Sequence, residues 1–184
     1  MATAPRFWSS NLLHFWFQRL GPVEWFNRND ATDADIARRF GGLWKSLRHC
    51  AASDFLDNPL TACAAVLLFD QVPRNIFRGD PRSFASDALA REIARAAIAR
   101  GWAARLSRPA RQFLYMPFMH SEAVADQIRS VALFAGLDDA NVFAFARAHY
   151  RTVARFGRFP HRNEVLGRQS TFAENRAVAA GAHW

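Results

Sequence analysis

The chain has 184 residues, 51% of them apolar and 22% charged, which excludes a disordered segment and allows a sizeable core in one domain spanning residues 1–184. With 24 basic against 16 acidic residues the formal net charge is +8 and the pI about 11, which favours a polyanionic partner, RNA first. No apolar run approaches the roughly 18 residues of a membrane span, so no membrane role is expected.

Lys45 is the only lysine among the basic residues. Arginine suits bidentate recognition of phosphate or carboxylate. A GC-rich codon bias would explain arginine in place of lysine, but not the surplus of positive charge. The opening residues show no charged stretch followed by an apolar one, so no secretory leader is expected and the cytoplasm is the expected location. Cys50 and Cys63 fit no ligand or redox spacing and read as buried thiols.

In chain order, Ser9 or Ser10 can cap a helix over Asn11–Leu20, stopped by Gly21 and Pro22, with Leu12, Phe15, Trp16 and Leu20 as its buried stripe. His14 reads as a surface residue. Trp25 and Phe26 fall in a loop. Thr32 to Asp35 approximates a capping box before a helix carrying Ile36, Phe40, Leu43, Trp44 and Leu47, weakened by Gly41 and Gly42. Asn58 and Pro59 signal the start of a central helix, apolar nearly all round, that ends at Phe69. An alanine-rich helix is expected over Ala88–Arg100. Another runs from Arg108 through Tyr115 and is broken at Pro117. Ser121 can cap a helix over Glu122–Ala135, and Asp138 and Asp139 open one that holds His149 and Val153. Asn163 caps a short turn, and Ser170 caps a last helix with Glu174 in its first turn. Alternating strand patterns are lacking, so the expected fold is all-α, an antiparallel array of about eight helices.

Three polar corners punctuate this array. The first holds Asp70, Gln71, Arg74 and Asn75, where Asp70 either faces a ligand cation or pairs with a nearby arginine. The second holds His120, Ser121 and Glu122; Ser121 reads as a helix cap ahead of a nucleophile, and Glu122 as a first-turn acid. The third runs from Arg155 to Asn163 and includes Arg158, His161 and Arg162. Flanking arginines there should depress the His161 pKa and leave a neutral imidazole able to take a proton. His149, on an apolar helix face, reads as a satisfied core histidine. The histidines lack metal-ligand spacing, and no metal is expected. The corners are expected to converge on one site.

The segments LLHFWF, LLFDQVPRNIFRGDPRSFASD, RQFLYMPFMHSE and RFGRFPHRN followed by LGRQST resemble the hallmarks of the domain-of-unknown-function-924 family, over about residues 12 to 175. Departures are a missing tryptophan before Asn58, the segment from Ser170 to Glu174, and a short alanine-rich tail. The resemblance implies a tetratricopeptide-like helical superhelix and a relation to arginine-containing cyclodipeptide synthases, which join arginine from arginyl-tRNA to a second amino acid. On that reading Asp70 and Glu122 hold the substrate guanidinium, and His161 or His120 is the base. Gln71, Arg74, Asn75, Ser121, Arg158, Arg162 and Asn163 then bind and orient the substrate. The implied partners are aminoacylated tRNA and an aminoacyl-tRNA synthetase. No glycine-rich nucleotide loop is present and no cofactor is implied, which places amino-acid activation elsewhere. Two other functions fit the residues: a helical adaptor whose corners only brace the helices, and an enzyme or receptor for a small anionic metabolite.

Overall fold

The computed structural model describes residues 7–181; the first six residues, part of the stretch read for a leader, and the last three of the alanine-rich tail lie outside them. Among the described residues every regular element is helical. Packing groups them into two compact units. One runs to Arg78 and resumes over Arg82–Pro117; the other comprises Gly79–Pro81 and everything from Phe118 onward.

In the first unit α1 (Trp8–His14) starts one turn earlier than expected. Its N-cap is Phe7 at φ 74°, and Ser10 Oγ donates to the Phe7 carbonyl instead of capping. The chain continues as a π-helical turn, Phe15–Arg19, in which Leu20 N–H reaches back to Phe15 O. Trp25 and Phe26 lie in a short helix, α2 (Pro22–Phe26), not a loop, and the indole N–H of Trp25 donates to Trp16 O at 2.8 Å. Helix α3 (Asp30–Leu47) is capped by Asn29, which accepts from Thr32 N–H, and it runs through both glycines unbroken. Asn58 caps α4 (Pro59–Val66) as its sequence signals, accepting from Leu60 and Thr61 N–H.

The expected end of that helix at Phe69 does not occur. The chain winds through a π-helical turn, Leu67–Gln71, into α5 (Val72–Ile76). Pro73 has no N–H for the Phe69 carbonyl, which in an ordinary helix breaks the run. Here Ser86 Oγ donates to Phe69 O at 2.6 Å and accepts from the Trp44 indole at 2.9 Å, so the orphaned carbonyl is satisfied from afar. Helix α6 (Asp87–Ala99) ends near Gly101, whose φ of 71° suits glycine.

Helix α7 (Arg108–Met119) likewise absorbs Pro117, which was expected to break it. In the second unit the fully buried Gln127 donates from Nε2 to Met119 O at 2.7 Å and Ser121 O at 2.6 Å, closing the carbonyls at the end of α7. Its bearer, α8 (Val124–Ala135), packs along α9 (Ala140–Phe156), which Asp139 caps and Gly157 ends at φ 70°. Ser121 is not the cap of α8: it donates to Asp126 Oδ2 at 2.8 Å and accepts from Ala123 N–H. Thr171, one residue after the expected Ser170, forms a reciprocal capping box with Glu174 at the start of α10 (Phe172–Ala179).

Candidate functional site

Asp70 sits in the π-helical turn with no exposed surface, and in place of a ligand cation it faces Arg74 at 3.3 Å. Arg74 also grips Asp87 through two bonds of 2.9 Å and donates to the Asp70 carbonyl. Burial pulls the guanidinium pKa down, but the charges of Asp70 and Asp87 outweigh it and the net shift is upward. Gln71 donates to Asp70 at 2.6 Å, and Asn75 donates to Gln71 O while accepting from Arg78. This first corner is an ion-pair network internal to the first unit, not a bend in the chain.

The other two corners lie in the second unit and come together around Phe159, itself fully buried. Glu122 is the link. One carboxylate oxygen accepts from Phe159 N–H at 2.8 Å, and Arg168 clamps both oxygens at 2.8 and 3.0 Å. Arg168 also donates to Phe159 O at 3.2 Å, so three groups cross-brace two bends 37 residues apart. Burial raises the Glu122 pKa, but the bonds from Arg168 and Phe159 and the charges of Arg168 and Arg162 prevail, and the net shift is downward. Glu122 belongs to the bend before α8, not to the helix's first turn.

Over the Phe159 ring lies Arg162, its guanidinium carbon 4.4 Å from the centroid and its NH1 donating to His120 O at 3.0 Å. Stacking and a backbone acceptor let a guanidinium remain 7% exposed. Ring centroids of His149 and His161 lie 5.5 and 5.7 Å from that of Phe159, and His120 is 6.4 Å from His149. His149 donates from Nδ1 to Phe145 O at 2.8 Å, which leaves Nε2 with the lone pair of the neutral ring. Burial first, then repulsion of a protonated ring by His120, Arg162 and His161, pushes its pKa down to about 3.

That shift has a pH signature. The unfolded chain takes up a proton on this histidine below its ordinary pKa of 6.5, whereas the folded chain does not until about 3. Stability is therefore full above that ordinary value and falls on acidification, by about 1.4 kcal/mol per pH unit between the two pKa values. His149→Gln should flatten the fall in denaturation midpoint between roughly pH 6 and 4. An equally steep profile in the variant would exclude His149 as its source.

Arg158 grips Glu174 through bonds of 2.6 and 2.9 Å. With the Thr171 N–H bond, this drives the Glu174 pKa down to about 2. Asn163 is buried and donates to Ser170 Oγ at 3.0 Å, tying the corner to the start of the last helix instead of capping its own turn. Arg168, Glu174 and His149 were not singled out as site residues from the sequence. Arg168 stands in the quoted LGRQST segment, but its partner lies 46 residues away. Among the described residues no group of three or more histidine, cysteine, aspartate or glutamate side chains is arranged to hold a metal ion.

The class these elements define is an all-helical array in which two bends of one compact unit are stitched together by an acid, two guanidinium groups and three imidazoles. The chain belongs to the family described as "Bacterial protein of unknown function (DUF924)", whose model matches residues 12–182. It is similar to a solved structure titled "Structure of Protein of Unknown Function ATU0120 from Agrobacterium tumefaciens", at 36% identity and a TM-score of 0.89, over 94% of this chain and 97% of that one. No curated protein matches it. Among the described residues no helix is long and apolar enough to cross a membrane.

Proposed function

We propose that this protein is an aminoacyl-tRNA-dependent peptide-bond-forming enzyme of the arginine-containing cyclodipeptide synthase type. The observation that supports the reading is the Glu122 carboxylate, which already holds a guanidinium in bidentate geometry and keeps 28% of its side chain exposed. A substrate arginine can take the place of Arg168 there, which is itself 24% exposed. Asp70 offers no such exchange, being wholly buried beneath Arg74, and its role is structural.

In the bond-forming step the neutral α-amine of one residue attacks the ester carbonyl carbon of arginyl-tRNA. The C–N bond forms, the ester C–O bond breaks, and the terminal ribose hydroxyl leaves. The proton lost by the attacking amine passes to an imidazole, His161 first and His120 second, and from there to the departing ribose oxygen. Arg162 and Asn163 orient the ester. Because the ester is already activated, holding both substrates in place supplies much of the rate. Three exposed arginines of α9, Arg147, Arg151 and Arg155, recur every fourth residue on a helix without a single acid, and offer tRNA phosphates a row of cations about 6 Å apart.

Glu122→Gln should fold, because the amide retains an acceptor for Phe159 N–H, and should lower arginine use at least tenfold while leaving tRNA binding unchanged. Full turnover of arginyl-tRNA by a folded Glu122→Gln protein would remove the guanidinium clamp from the mechanism.

A further inference from the structure

A half-open pocket on the first unit has room for a small ligand. In the first unit Ala37, Gly41, Trp44, Lys45 and Arg48 of α3, with Ile76, Phe77 and Arg82, line a cavity of about 430 Å³. That volume lies within the range of small-molecule sites, towards its lower end. The floor is apolar, from Ala37, Gly41, Ile76 and the edge-to-face pair Trp44 and Phe77, whose centroids are 4.9 Å apart. The rim is cationic. The guanidinium carbon of Arg48 lies 4.9 Å from the Trp44 ring centroid and that of Arg82 4.4 Å from the Phe77 centroid, and Lys45 also lines the cavity.

Charge decides what such a cavity can hold. The lining contributes three formal positive charges and no carboxylate. Among the described residues no acid lies within ion-pair distance of Lys45 or Arg48. The nearby C-terminal end of α3 carries about half a negative charge at most, and Arg48 and Cys50 N–H already bond its carbonyls at Trp44 and Leu47. The cations prevail. Each guanidinium already rests over an aromatic ring, which restricts its motion before a ligand arrives and reduces the ordering cost of binding.

Neither Gly41 nor its neighbour Gly42 has a packing or backbone reason to be glycine, and of the two Gly41 lines the cavity. It sits in the middle of an 18-residue helix, where glycine costs about 1 kcal/mol relative to alanine. Its φ is not positive, and an added Cβ would meet only Ile76 Cδ1, at an ordinary 3.9 Å. Neither backbone conformation nor packing excludes a side chain there. What the missing side chain leaves is open floor in the cavity.

We infer that this cavity is a binding site for a small planar phosphate monoester, the flat body on the Gly41 floor and the phosphate among Lys45, Arg48 and Arg82. The site is independent of the proposed peptide-bond chemistry, since all its residues belong to the other unit.

Calorimetric titration of the full chain tests it, with adenosine 5′-monophosphate, phenyl phosphate, adenosine and inorganic phosphate as the probes. At least one monoester should bind ten times more tightly than adenosine and than inorganic phosphate. Binding of both monoesters points to a general planar phosphate, and of the nucleotide alone to a nucleotide. Gly41→Leu should weaken that binding at least tenfold without lowering the denaturation midpoint, and the double variant Lys45→Ala with Arg48→Gln should weaken it equally. Absence of monoester binding to the wild-type chain, or undiminished binding to folded Gly41→Leu, would overturn the assignment. So would adenosine or inorganic phosphate binding as tightly as the monoesters.

Discussion

Replacing Arg74 with alanine is expected to cost about 3–5 kcal/mol of stability, the cost of leaving a buried charge without its partner. The effect is large because Asp70 has no access to water and Arg74 meets two carboxylates at once, Asp70 and Asp87. Removing the guanidinium would leave the Asp70 charge without the Arg74 cation, in a helix whose residues from Leu67 to Phe69 are fully buried. For a chain of this size the loss corresponds to a fall in denaturation midpoint on the order of 10 °C. Arg74→Ala combined with Asp70→Asn should recover part of it, since the stranded charge is then gone. A midpoint for Arg74→Ala within about 2 °C of wild type would show that Asp70 is neutral or otherwise compensated, and the structural role given to this pair would fail.

His161→Ala is expected to slow bond formation by roughly 10²- to 10⁴-fold in single turnover, the usual contribution of a positioned general base. His161 is only half-buried at its corner, and the Glu122–Arg168–Phe159 brace does not pass through its side chain. The variant should therefore unfold near the wild-type midpoint, which separates a chemical defect from a structural one. His120→Ala provides the comparison: a larger slowing there than at His161 would exchange their roles. An unchanged single-turnover rate for His161→Ala would exclude it as the base.

These expected effects follow from two kinds of sequence signal, one local and one not. Caps such as Asn58 and Asp139 and the stop at Gly157 are readable because the bonds they make lie within a few residues. The helices through Pro73 were not readable. Proline interrupts a helix unless something distant takes up the freed carbonyl, and Ser86 is 17 residues away from Phe69. Pro117, inside α7, poses the same difficulty. At the site, the residue types of the second and third corners were visible as a cluster of histidine, arginine, glutamate and asparagine. Their pairing was not: Arg158 goes to Glu174, and Glu122 goes to Arg168. Composition fixes neither choice, because every one of these arginines is chemically able to take either acid. Polar residues at three corners of the chain do not say which corners meet, so the expected convergence of Asp70 with the histidines has no support in spacing. What the structure sets against the Asp70 carboxylate is the Arg74 and Gln71 side chains of its own unit.

The most direct measurement is to incubate the purified chain with charged tRNAs and analyse the products by mass. The account predicts a product containing arginine joined by a peptide bond to a second residue, formed from arginyl-tRNA, strongly reduced by His161→Ala and lacking when the arginine tRNA is left unacylated. Wild-type protein that is folded and monodisperse yet releases no arginine-containing amide from any mixture of charged tRNAs would contradict it.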